Sequence, residues 1–250
     1  MLKKKLAALI AAALMMMSAS SAFAAFADLE LIRIYYDRAG NEYATDLGLV
    51  SNFVAAGAVN SVEGTFGTLA TGYSVYFALD RTAGMSDLWA TGSSATPSVI
   101  VGGSNGLTGI KSGTTPMYTL YNTQGGTDYV GSAAASNSFR NKLSATQGTL
   151  ASAINLTTRL NTEASLAGII GQSSGSVEQV LYFWDNALTG VASEKIGTVA
   201  ATIVTNFDGS SLITSATPAP AATTPIPPAF LLMGSGLLGL VGLRRKAKVA

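Results

Sequence analysis

Apolar and polar residues alternate along most of this chain in runs of five to nine, separated by clusters of Gly, Ser, Thr, Asn and Asp. That rhythm predicts half-buried β-strands joined by turns. In residues 29–36, Glu30 and Arg33 fall on opposite faces and apolar side chains fill both, as in a strand covered on two sides. Asp37 to Glu42 then supplies turn residues, and 43–47 returns as the hairpin partner. Further strands are predicted at 73–79, 87–90, 98–101, 117–121, 177–184, 197–205 and 211–214, with glycine-rich turns at Gly102-Gly103 and Gly125-Gly126. One stretch breaks the rhythm. Phe139, Leu143, Gln147, Leu150 and Ile154 recur every three or four residues, and Ser136 or Asn137 can cap the start, so one amphipathic helix is predicted over 136–154. Gly148 inside it costs about 1 kcal/mol relative to Ala and favours a shorter helix. Strands every 10 to 25 residues around a single helix predict a mainly β domain over residues 25–216, a jelly-roll-like β-sandwich.

Both ends depart from this pattern. Residues 1–24 run from three lysines through an uncharged apolar stretch, Leu6 to Met17, to small residues, the layout of a secretory signal peptide. Twelve apolar residues are too few to span a hydrocarbon core of about 30 Å. Ala22-Phe23-Ala24 predicts cleavage before Ala25, and Ala25-Phe26-Ala27 offers a second cut before Asp28. The Sec translocon and signal peptidase are therefore expected partners. At the other end, residues 217–228 carry five of the seven prolines and form an extended tether. Residues 229–243 lack charge and rise about 22 Å as a helix, a short transmembrane span. Arg244, Arg245, Lys246 and Lys248 follow as a cytoplasmic stop that snorkels to the headgroups.

From Ile226-Pro227-Pro228-Ala229 through Gly234-Ser235-Gly236-Leu237-Leu238-Gly239-Leu240-Val241-Gly242 to Arg244-Arg245-Lys246, the tail resembles the PEP-CTERM class of sorting signals, in the variant with a Val-Pro-Leu-Pro-Ala-like start. Ile226-Pro227-Pro228 stands where Pro-Glu-Pro or Val-Pro-Leu-Pro is usual. The resemblance covers about 25 residues and implies recognition by an exosortase, a membrane cysteine protease or transpeptidase, with the product passing from an inner-membrane intermediate to the cell surface or an exopolysaccharide matrix. The competing reading is an ordinary tail anchor in which Gly236, Gly239 and Gly242 form a small-residue packing face.

Composition narrows the chemistry of the body. The net charge of +1 hides a segregation: three lysines lie at the start, four basic residues at the end, and the middle holds eight cations against all 14 acids, a net −6. Nucleic-acid binding, which rests on neutralising phosphates, is disfavoured. With no His and no Cys, the usual ligands of zinc, iron–sulfur and haem sites are missing, as are triads and disulfides. No cofactor or metal is expected. Glycoside hydrolysis remains open through Asp80, Asp87, Glu178 and Asp185, but no spacing fixes two of them at a working separation. Calcium would find its nearest loop at Asn206 to Ser210, which lacks the regular D-x-D-x-D-G spacing and reads better as a turn around Gly209. Aromatic residues offer a third route, stacking on sugar rings: Tyr35, Tyr36, Tyr76, Tyr121, Tyr182 and above all Trp89 and Trp184 are candidates, though strand aromatics are more often core. The expectation is an exported structural or adhesive protein, not an enzyme. A carbohydrate-binding module is the alternative, then a carboxylate-dependent glycosidase.

Overall fold

The structure, a computed structural model, describes residues 26–38, 40–82, 87–92, 98–101, 108–144, 162–185 and 193–218. All belong to the first of two units, Met1–Pro218 and Ala219–Ala250. The predicted leader, its cleavage alanines Ala22, Ala24 and Ala25, and the whole sorting tail from Ile226 onward lie outside the described residues. Among the described residues, no helix is long and apolar enough to cross a membrane.

The body is mainly β. Its strands are β1 (Glu30–Tyr36), β2 (Asn41–Leu49), β3 (Val59–Val62), β4 (Tyr73–Leu79), β5 (Leu88–Gly92), β6 (Ser98–Val101), β7 (Asp128–Ser132), β8 (Ala164–Ser165), β9 (Ser176–Trp184), β10 (Ser193–Ile196), β11 (Thr198–Asn206) and β12 (Ser211–Ser215). Where apolar and β-branched or aromatic residues run together, as in β1, β4, β9 and β11, the predicted strands stand within two residues of the observed ones. The β1–β2 turn is built by Asp37, whose carboxylate accepts the backbone N–H groups of Gly40 and Asn41.

The expectation of two separate packed sheets is refined by the connectivity. One antiparallel sheet runs β3-β12-β11-β9-β5-β4-β1-β2-β7, with β8 also on β4, while β10 and β6 form a separate pair. This long sheet curls. Tyr76 on β4 bonds Ser211 on β12 at 2.6 Å, although β5, β9 and β11 separate those strands in the sheet. Such a bond crosses the concave side, so the two halves of the sheet face one another.

Each face buries a different layer. The convex face carries Ile32, Ile34, Tyr36, Val75, Phe77, Leu79 and Trp184, covered by the helix α2 (Thr108–Tyr121) through Ile110, Met117, Tyr118 and Tyr121. At one end of the concave face, Leu31, Ala78, Leu181, Ala201, Ile203 and Ile213 meet Val50 and Phe53 of the short helix α1 (Val50–Val54).

Two local predictions are corrected. Residues 117–121 belong to α2, not to a strand. Tyr118, Thr119 and Tyr121 are strand formers, and Pro116 interrupts the helix by supplying no N–H, so local preference argues against a helix. Tertiary packing overrides it: Ile110, Met117 and Tyr121 stand seven and four residues apart on one buried face. Thr114 and Thr119 tie their hydroxyls to the carbonyls of Ile110 and Thr115. The helix predicted over 136–154 appears among the described residues only as α3 (Phe139–Lys142). Its cap is Ser138, whose hydroxyl accepts from Asn141 N at 3.3 Å, and not Ser136 or Asn137. The predicted core positions Phe139 and Leu143 are both buried; residues 145–154 lie outside the described residues.

Candidate functional site

The two tryptophans are separated by strand alternation. On β5, Leu88 and Ala90 face the helix-covered side and Trp89 the other; on β9, Tyr182 and Trp184 face the helix-covered side and Leu181 and Phe183 the other. Trp184 is 0% exposed, so it offers no ring to a ligand at the surface. Trp89 is half-buried. Directly across the β5–β9 pair stands Phe183, also half-buried, with ring centroids 4.7 Å apart and planes at 33°. The half-exposed aromatic step is therefore Trp89–Phe183. Sequence alone does not name Phe183 as the partner, because its place opposite Trp89 depends on the register of β5 against β9.

Two residues beyond Phe183 the strand ends in a polar pair. Lys195 Nζ donates to the Asp185 carbonyl at 2.6 Å and to its carboxylate at 3.1 Å. Apolar ring faces with a carboxylate and an amine nearby suit a ligand that presents both C–H faces and hydroxyls. Of the other aromatic candidates, Tyr35, Tyr36, Tyr76, Tyr121 and Tyr182 are buried.

Three of the four candidate carboxylates share one end of the sheet: Asp80 follows Leu79, Asp87 precedes Leu88 and Asp185 follows Trp184, and those three apolar residues stand in one row across β4, β5 and β9. Asp80 and Asp87 close the β4–β5 connection, through Asp80 N donating to Asp87 O at 2.9 Å and the Asp80 carboxylate accepting Thr82 N. Glu178 and Asp185 lie seven residues apart along β9, about 23 Å at strand rise. In the Asn206 to Ser210 turn, Asp208 accepts the backbone N–H and hydroxyl of Ser210, which hold its carboxyl below the usual range, and Gly209 sits at φ 89°. Among the described residues, no three acidic side chains converge as a metal site would require.

A polar layer inside the concavity was not foreseen from the sequence. Arg33, 3% exposed, donates to the carbonyls of Glu63 at 2.7 Å and Gly209 at 3.4 Å, and to the hydroxyls of Ser211 and Thr45, each at 3.4 Å. Beside it, Tyr76 OH meets Thr205 at 2.8 Å and Ser211 at 2.6 Å, and Tyr35 OH meets Tyr76, Ser211 and the Gly209 carbonyl at 3.1–3.2 Å. Gly64 makes room for the guanidinium: a Cβ there would lie 2.6 Å from both terminal nitrogens of Arg33. Burial pushes the Tyr76 phenol well above its ordinary pKa, so it acts here as a neutral donor and acceptor. The sequence signal was an arginine amid the apolar run 31–36, visible but without its partners, which come from β2, the residue after β3, the β11–β12 turn and β12.

A second buried charge lies on the opposite face. Glu42 accepts Tyr121 OH at 2.6 Å and the backbone N–H groups of Phe139 at 2.9 Å and Arg140 at 3.2 Å, so it anchors the start of α3. Burial raises its pKa, and these three donors only partly offset that. Arg38 pairs with Glu163 at 3.2 Å and lies over the Tyr73 ring at 4.1 Å, where the Glu163 side chain is nearly inaccessible. Compared with known proteins, the chain matches no family model, no curated protein and no solved structure.

Proposed function

We propose that this is an exported cell-surface or matrix protein with a structural or adhesive role, carried across the membrane by the Sec route and processed at its C-terminus by an exosortase. The observation that carries the reading is the order of the tail: proline tether 217–228, uncharged segment 229–243, then Arg244, Arg245 and Lys246. A body of net charge −6 between two basic ends fits an exported domain with its cations left on the cytoplasmic side. The sandwich enters this reading in modified form, its two layers being the facing halves of one curled sheet. Association with exopolysaccharide follows from the class the tail resembles. Deleting residues 226–250 tests it. The shortened protein should appear free in the medium, whereas the full chain should be processed only in cells that carry the exosortase. An anchored full-length product of the same size in cells with and without that enzyme overturns the reading.

A carbohydrate-binding body is the second reading, favoured by the half-exposed Trp89–Phe183 step. Trp89→Ala should weaken retention on the polysaccharide of the producing cell at least tenfold while the body remains folded; equal retention removes it. Trp184→Ala is no test of binding, because that indole is core.

A further inference from the structure

Two small-residue motifs compete at the N-terminus, and the fold distinguishes their products. Cleavage after Ala24 keeps Phe26 in the mature chain, and cleavage after Ala27 removes it. Phe26 is 1% exposed and belongs to the convex-face core, its ring edge-on to Tyr121 with centroids 5.0 Å apart. Its backbone is also held: the N–H donates to Asp46 Oδ2 at 2.9 Å, and the carbonyl accepts Asn122 Nδ2 at 3.3 Å. Both Phe26 and Leu29 sit in the left-handed region, at φ 59° and 66°. Residues with a Cβ occupy that region only where surrounding contacts impose it. Leu29 is fixed by its own bonds, N–H to Leu79 O at 3.1 Å and carbonyl to Val50 N at 2.8 Å.

We propose that the Ala24–Ala25 bond is the signal-peptidase site and that Phe26, the second residue of the mature protein, is the plug that closes the convex core. This rests on the Sec reading above. A cut before Asp28 forfeits both the ring and the bond to Asp46.

The test is made on the full chain expressed in a bacterium with a working Sec system, reading the N-terminal residue of the exported protein by sequencing and intact mass. Wild type and Ala27→Leu, which blocks the second motif, should both begin at Ala25. A wild-type product beginning at Asp28 overturns the proposal. A protein that keeps Met1 and stays in the cytoplasm overturns the Sec reading instead, and the two results are told apart by mass. Ala24→Leu blocks the first motif. It should yield either uncut precursor or a product beginning at Asp28 that melts about 10 °C lower, the shift expected for losing a buried Phe from a domain of this size. An Asp28 product as stable as the Ala25 form also overturns the proposal.

Discussion

The two faces of the curled sheet each bury a charge, and they accommodate it in opposite ways. On the convex face Glu42 is a lone carboxylate among aromatic rings, met by two backbone N–H groups at the start of α3 and one phenol. In the concavity Arg33 lies within a continuous belt of hydroxyls and carbonyls that joins β1 to the loops around β3 and β12. Among the described residues neither charge enters an ion pair. The convex face is thus an apolar core with isolated carboxylates set into it, Glu42 and Asp46, whereas the concavity is a polar clasp between apolar ends. Packing should dominate the first, and directional bonds across a gap the second.

The largest expected effect probes the packing. Phe77 lies between Tyr118 of α2 and Phe139 of α3, with centroids 6.5 and 6.3 Å away. Phe77→Ala should cost about 3–5 kcal/mol in urea unfolding, the usual range for a fully buried Phe. A cost below about 1 kcal/mol would mean that the helices are not held by this core. Next comes the clasp. Tyr76→Phe keeps the ring and removes the hydroxyl that meets Tyr35, Thr205 and Ser211. A loss of about 1–3 kcal/mol is expected, because several buried partners lose a bond at once. Combined with Ser211→Ala in a double-mutant cycle, the two changes should be clearly non-additive. Strict additivity would break the picture of a connected network.

These faces were unequally legible in the sequence. The strands of the convex core were readable because an apolar run is a property of neighbouring residues: Ile32, Ile34, Val75, Phe77 and Leu79 stand at every second position of such runs in β1 and β4. The helix that covers it was not, since Thr114, Thr115 and Pro116 disfavour a helix locally and only the packing of Met117 and Tyr121 on the sheet decides the matter. Nor was the clasp. Arg33 and Ser211 are 178 residues apart, and their meeting depends on how far the sheet curls, which no short window encodes. The same limit hid Phe183, whereas the burial of Trp184 follows from its sharing the parity of Tyr182 on β9.

The smallest effect concerns pH and isolates the convex-face anion. With its pKa raised on folding, Glu42 binds its proton more tightly in the native than in the unfolded chain, where it titrates near 4.5. Its protonated form therefore favours the native state at pH values below about 4.5, and that contribution is lost as the pH rises through the raised native value. Glu42→Gln removes the titration while leaving one side-chain oxygen to accept Phe139 N–H. Unfolding free energies of wild type and variant, measured in parallel from pH 4 to 7, should shift relative to one another in favour of the variant as the pH rises. A constant difference across that range would mean that the three donors hold the carboxylate as well as water does, and the contrast between a tolerated anion and a hydrogen-bonded cation would collapse.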